Sequence, residues 1–408
     1  MRLSSIVPDR LSMSAKVYLF ANILNGLGNG TVNVVLQLYL MSLGFDSVAI
    51  GSIVTMNFIG MMLFTIPSGV LADHYGKKKI VLLGFSLFSI IIVLILTARS
   101  LWMFRLAFFL LGINNATGVV WTPLYSSFFE KKDMDRAFGL LGFVSILSNA
   151  MGSLMGFIPP MLVHQYGYTF RCAYWLTLII AVGFFVPSMP FYLLSFRGIV
   201  EPKREGGFRF TLRSKSVVAK FGLISLIGAL GYGVFFSLFP YYLNKKFGIQ
   251  SDALGILYFL SNFAQAGANI LAPRISQRLG TLKAIVAALG LCAPFYLMIP
   301  LAPSFTWLSV AYILRLFSAN ISTPLTSSLF MRLLRDEEKA TANSIRMMAS
   351  QGGNVVAPML GGRLMEQVSL DLPAYLGASL YVAYSLSFYL LLREEATIST
   401  SARETEMP

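Results

Sequence analysis

The chain runs apolar for 20 or more residues at a time, and does so repeatedly along its length. A helix needs about 20 predominantly apolar residues to cross the hydrocarbon core of a bilayer. In lipid the backbone has no water to bond, so each such run must satisfy its own hydrogen bonds as a helix. Composition agrees, with 56% of the 408 residues hydrophobic, only 12% charged, and a mean hydropathy of +0.70. Twelve spans of about 21 residues would use roughly 252 positions and leave about 156 for tails and loops. That leaves no room for a sizeable soluble domain. A cytosolic enzyme, a secreted disulfide scaffold and a nucleic-acid-binding protein are excluded, and an all-α integral membrane protein remains.

Charges and turn residues bound the runs at 16–42, 48–72, 78–98, 101–129, 136–163 and 170–195. A second set follows at 216–244, 251–276, 281–301, 304–333, 338–366 and 371–393. The basic segment 196–215 divides the spans six and six. The expected domains are therefore 1–195 and 216–393, a cytoplasmic linker between them, and a disordered acidic tail at 394–408. The first apolar run is too long for a cleaved signal and reads as a retained helix. Cys172 and Cys292 sit in separate apolar segments and make neither a disulfide framework nor a CxxC site.

Lys and Arg give the orientation. With the N-terminus inside, inner loops and tails collect 24 basic residues and outer loops only five, namely Arg99, Arg171, Lys245, Lys246 and Arg363. Both termini are expected to be cytoplasmic, in a multi-pass protein of the cell membrane. Most of the +14 net charge is thus topology rather than a sign of an acidic partner.

The halves repeat one another. Gly44-Phe-Asp-Ser-Val-Ala-Ile-Gly51 returns 204 residues later as Gly248-Ile-Gln-Ser-Asp-Ala-Leu-Gly255, and the same shift aligns Gly76 with Gly280 and Lys79 with Lys283. Thr122-Pro-Leu-Tyr-Ser-Ser127 returns 201 residues later as Thr323-Pro-Leu-Thr-Ser-Ser328. Tandem repeats of this kind place a pathway near the bilayer midplane.

On these features the chain resembles the major facilitator superfamily of secondary transporters over essentially its whole length. The most specific piece is Gly69-Val-Leu-Ala-Asp73-His-Tyr-Gly76-Lys77-Lys-Lys79, which is similar to the family's loop signature Gly-x-x-x-Asp-x-x-Gly followed by basic residues. Its second-half counterpart keeps Gly280 and Lys283 but carries Gln277 in place of the aspartate. The resemblance implies two pseudo-symmetric six-helix bundles, alternating access, and a cavity lined by spans 1, 4, 7 and 10. It also implies that Asp73 meets the start of span 11 around Thr341–Ser344 and closes the cytoplasmic side. A carboxylate at a helix N-terminus gains about 0.3–1 kcal/mol. Two features depart from the family's patterns: Arg105 lies too far from Gly112 for the usual fourth-span motif, and Gly152, Gly156, Pro159 and Pro160 have the wrong spacing for its antiporter signature.

Several side chains are candidates for solute contact. Asn22, Asn25, Asn29, Asn33 and Gln37 fall within an arc of about 120° on the first span. Amides in apolar helices need partners, either neighbouring helices or a wet cavity and its solute. Asn114 and Asn115 would face the stripe from the fourth span. Arg315, about 16 Å into the tenth span, is close to the midplane, where a charge marks a functional site by default. Its repeat counterpart is Asn114. Asn320 lies further along the same span. Arg346 is nearer the cytoplasmic end and is expected to snorkel. Trp121, Tyr39, Tyr232, Phe235 and Phe236 either pack or stack on an amphipathic solute.

No Asp or Glu falls inside a predicted span, since Asp73, Glu130, Glu338 and Glu366 all lie at span ends. A buried proton-carrying carboxylate is therefore missing, and coupling to protons or another ion must use an end-located acid or another drive. No reactive constellation, metal set or cofactor motif is visible, which disfavours a membrane-embedded enzyme. The expectation is a monomeric secondary transporter without cofactor. Efflux of amphipathic compounds fits the loop signature and the aromatics, and a small anionic or polar metabolite fits Arg315 and the amides.

Overall fold

The computed structural model describes residues 11–130, 133–197, 214–335 and 338–404. Most of the 196–215 linker lies outside the described residues. The described chain is helical throughout, without strands. Its first half holds α1 (Met13–Ser42), α2 (Ser47–Tyr75), α3 (Lys77–Thr97), α4 (Leu101–Ala116), α5 (Trp121–Ser126), α6 (Met134–Ser153), α7 (Ile158–Tyr166) and α8 (Phe170–Ser195). Its second half holds α9 (Lys215–Phe236), α10 (Phe239–Phe247), α11 (Ser251–Leu279), α12 (Thr281–Met298), α13 (Phe305–Arg332), α14 (Lys339–Gln367) and α15 (Leu372–Glu404).

Among the described residues, eight helical segments are long and apolar enough to cross a membrane by length and composition. The long helices α1, α13 and α14 are not among them, although they have 30, 28 and 29 residues. Their polar side chains lower the hydropathy, and these are helices that carry candidate site residues. At the other extreme, α3 is strongly apolar and leaves Leu82, Leu83, Ile90 and Val93 exposed, as a lipid-facing helix would.

Three spans expected to be continuous are broken. A 3-10 turn at Thr117–Val120 precedes α5, another at Leu154–Phe157 precedes α7, and α9 gives way to α10 at Ser237. Each break is followed within the next turn by a proline: Pro123, the pair Pro159 and Pro160, and Pro240. Proline has no N–H to donate back, so it is tolerated at a helix start rather than within one. The last helix, α15, runs on to Glu404, past the end of the expected span at 393. Between Leu391 and Glu404 there is neither Gly nor Pro to stop it.

The chain forms two compact units, and each gathers segments from both halves of the sequence. The first comprises Met1–Asp46, Ile59–Gly207 and Leu243–Phe263; the second comprises Ser47–Phe58, Phe208–Tyr242 and Ala264–Pro408. In the first unit α1 packs on α6 and α8, and α3 on α4. In the second, α9 packs on α14 and α15, and α12 on α13 and α15.

The repeated Gly-x-x-Ser-x-x-x-Gly boxes explain the exchanged segments. Gly44 and Gly248 both turn the chain at positive φ, 90° and 66°. Ser47 Oγ, in the second unit, lies 2.8 Å from the Gly362 carbonyl oxygen, and Ser251 Oγ, in the first, donates to the Gly156 carbonyl at 2.7 Å. One turn later, a Cβ on Gly51 would meet the Pro358 carbonyl oxygen, and one on Gly255 that of Ser153. Each box thus lays a helix start against a partner helix at near backbone contact, the small-residue packing expected in lipid. The loop-signature glycines repeat the pattern, with Gly76 at φ 95° and Gly280 at φ 81°.

Candidate functional site

Each unit contains a cavity of about 330 Å³. That of the first unit has an amide edge made by Asn22, Asn25 and Asn29 of α1 with Asn114 and Asn115 of α4. The rings of Tyr18, Phe85, Trp121 and Tyr192 share the lining with them, and none of the described residues lining the space is charged. The rings brace one another, with Trp121 at 4.7 Å from Tyr192 and Tyr18 at 4.8 Å from Tyr125, centroid to centroid. Tyr125 is fixed in turn by its hydroxyl, which donates to the Ala137 carbonyl at 3.0 Å. Among the amides, Asn29 Nδ2 donates to Asn25 Oδ1 at 2.7 Å, and Ser145 Oγ donates to Asn22 Oδ1 at 2.7 Å.

The structure brings together only the first part of the predicted stripe. Asn33 and Gln37 do not line the cavity, because beyond Gly30 the buried side of α1 is taken by Thr31, Val34, Val35 and Leu38. Thr31 Oγ1 bonds to the Leu27 carbonyl at 2.9 Å and lies 3.1 Å from that of Gly152. Helical spacing gives the arc, and packing decides which of its residues line this cavity.

The cavity of the second unit is lined by Tyr232 of α9, Ser322 and Thr323 of α13, Arg346 and Asn354 of α14, and Tyr381 and Tyr384 of α15, among others. Arg346, expected to snorkel, faces this cavity instead. Its Nη2 donates to Asn343 Oδ1 at 3.2 Å, and its guanidinium lies 5.2 Å from the Phe330 ring. Sequence reasoning missed it because depth along a helix was weighed and direction around the axis was not.

Arg315 is only 1% exposed and does not line the cavity. It is enclosed by Phe236, Tyr381, Tyr232 and Tyr296, whose ring centroids lie 4.2, 4.6, 5.5 and 5.5 Å from its guanidinium carbon. Its Nη2 donates to the Tyr381 hydroxyl. Phe236 is buried with it, whereas Tyr232 remains 46% exposed. Asn320 turns back on its own helix, donating to the Leu316 carbonyl at 2.8 Å, and lines neither cavity.

The loop-signature residues are placed in part. Gly69 lies in α2 with open space around it, Gly76 caps α3, and Lys77 and Lys79 form the first turn of α3. The side chain of Asp73 lies outside the described residues. Thr341 is buried in the first turn of α14. The acids at span ends are engaged. Glu338, 2% exposed, accepts from the Ser214 N–H at 2.9 Å and from its hydroxyl, tying the start of α9 to that of α14. Glu366 Oε2 lies 2.8 Å from Ser47 Oγ and 3.4 Å from the Tyr241 hydroxyl, and Asp371 accepts from the Tyr242 hydroxyl at 2.6 Å.

Two helical units, each a membrane-type bundle with a recess sized for a small molecule, define a polytopic membrane protein that handles small solutes. The sequence profile of the Major Facilitator Superfamily matches residues 18–221 and again 221–407, and the chain belongs to that family. It is a transporter and not an enzyme.

Among curated proteins it is 21% identical over 319 residues to the uncharacterized MFS-type transporter YceJ of Bacillus subtilis (strain 168), covering 78% of this chain and 80% of that one. It is 27% identical over 184 residues to the multidrug resistance protein MdtH of Klebsiella pneumoniae (strain 342), a match spanning 44% of this chain and 45% of that protein. Among solved structures, the nucleoside transporter NupG superimposes with a TM-score of 0.73 at 14% identity, over 93% of this chain and 99% of that one. A bacterial homologue of the iron transporter ferroportin gives 0.72 at 13% identity, with the same coverage. At such identities these structures share the fold.

Proposed function

We propose that the protein is a secondary transporter that moves amphipathic compounds with an aromatic body by alternating access, and exports them. The observation that carries this reading is the first unit's cavity, whose lining combines uncharged amides with aromatic rings. Rings offer large contact area and sequence-independent stacking, and amides supply both donors and acceptors to a solute's polar edge. About 330 Å³ is at the lower end of small-molecule pockets. The name of MdtH, multidrug resistance, favours the export direction. The excess of Lys and Arg on one side favours both termini in the cytoplasm.

Reconstitution in liposomes with a solute panel, with and without an imposed proton gradient, tests this. Saturable movement of aromatic amphipaths, reduced by the double variant Asn25→Leu with Asn29→Leu, is expected. Movement of sugars or aliphatic amino acids in preference to every aromatic compound would overturn it.

A further inference from the structure

The second unit holds two arginines, Arg315 and Arg346, whose hydrogen-bond partners among the described residues include no carboxylate. Helices α9, α12 and α13 contain no Asp or Glu, α14 has none before Glu366, and α15 has none before Glu394. Arg315 nevertheless lies at 1% exposure among these helices, and its Nε has no hydrogen-bond partner. The Tyr381 hydroxyl is the acceptor it finds, and four ring faces supply the rest. Cation–π contacts offset only part of the cost of burying a charge that has no counter-ion. A second cation, Arg346, lines the adjacent cavity, and its Nε is likewise buried without a partner.

Two of the rings over Arg315, Tyr232 and Tyr381, also form part of the cavity wall. Arg315 is therefore one side chain away from the space that Arg346 already faces. Ser350 and Asn354 in the same wall can donate further hydrogen bonds, whereas the hydroxyls of Ser322 and Thr323 donate to the Ala319 carbonyl.

We infer that the second unit's cavity is an oxyanion site, in which Arg346 and, behind a shutter of Tyr232 and Tyr381, Arg315 receive the carboxylate of an amphipathic solute. The inference rests on the reading that amphipathic solutes are the cargo, and it names their acidic group. A carboxylate replaces the Tyr381 phenol as the acceptor of Arg315, since two oxygens match the guanidinium fork where one phenol does not.

Calorimetric titration of the purified full-length protein with 1-naphthoate and its neutral isostere 1-naphthamide tests this. Naphthoate should bind about tenfold more tightly or better. Arg346→Gln should remove that preference, weakening naphthoate about tenfold and moving naphthamide less than about twofold. Tyr381→Phe removes the competing phenol and should strengthen naphthoate about threefold or more, with naphthamide unchanged. These two variants test the site even if Arg315→Gln fails to fold. Equal binding of the two probes, or variants that shift both in parallel, overturns the inference and leaves the amphipathic reading standing. Binding of neither probe overturns that reading and the inference with it.

Discussion

The two cavities occupy equivalent places in their units, yet their chemistry has diverged. Under the 201-residue shift Asn114 corresponds to Arg315, and Trp121 corresponds to Ser322. Under the 204-residue shift Asn25 corresponds to Ala229 and Gly28 to Tyr232. The first cavity keeps its amides on α1 and draws rings from several helices. The second has its rings on α9 and α15, brings in Arg346 with Arg315 buried behind two of those rings, and has a hydroxyl where the first has a tryptophan. What has not diverged is the framework. Both units pack their first and fifth spans through glycines at backbone contact, and both clasp a helix start with a Ser-to-carbonyl bond. Backbone geometry is set by close packing, which tolerates little change, whereas cavity-lining positions are free to vary.

The largest effects should fall on the shared framework. A Cβ on Gly152 would run into the Leu27 carbonyl at the α1–α6 seam, and one on Gly361 into that of Val234 at the α9–α14 seam. Gly152→Val and Gly361→Val should each destabilise by about 3 kcal/mol, read as lost monodispersity and a lower midpoint of thermal unfolding in detergent. If one variant is silent, the two seams are not equivalent.

Next comes the divergent chemistry. Asn25→Leu with Asn29→Leu removes two amides worth about 1 kcal/mol each and should slow transport of aromatic solutes tenfold or more. It should leave the preference for naphthoate over naphthamide intact. A lost charge preference would merge the two cavities' roles.

The smallest effects should come from the clasps. Ser47→Ala and Ser251→Ala should each cost about 1 kcal/mol in unfolding experiments, one hydrogen bond apiece. Ser47 also lies 2.8 Å from Glu366 Oε2. A double-mutant cycle with Glu366→Gln should show coupling to Ser47→Ala and none to Ser251→Ala, since the carboxylate lies beside Ser47.

Much of this architecture was legible in the residues. The runs placed every span to within a few residues at most ends, and four of the five positive-φ glycines among the described residues, at 44, 76, 248 and 280, are glycines that the repeat aligns. The helical breaks before Pro123, Pro159 and Pro240 were not anticipated, because Pro67, Pro187, Pro273 and Pro324 sit inside unbroken helices. A missing N–H can be compensated by neighbours in one place and not in another. Of the candidate site, Asn25, Asn29, Asn114, Asn115, Trp121 and Tyr232 line a cavity. Asn33, Gln37, Asn320, Phe236 and Arg315 line neither of the two cavities described.

By itself, then, the sequence determined what depends on local hydrogen bonding and hydropathy: a helical membrane chain, its order of spans, its duplication and its family. Each helix in lipid satisfies its own backbone, so its existence needs no knowledge of its neighbours. Only the tertiary structure decided which side chains share a space. That depends on rotation about each helix axis and on where neighbouring glycines let helices close up. So Arg346 came to face a cavity, and Arg315 came to lie behind two tyrosines at its wall.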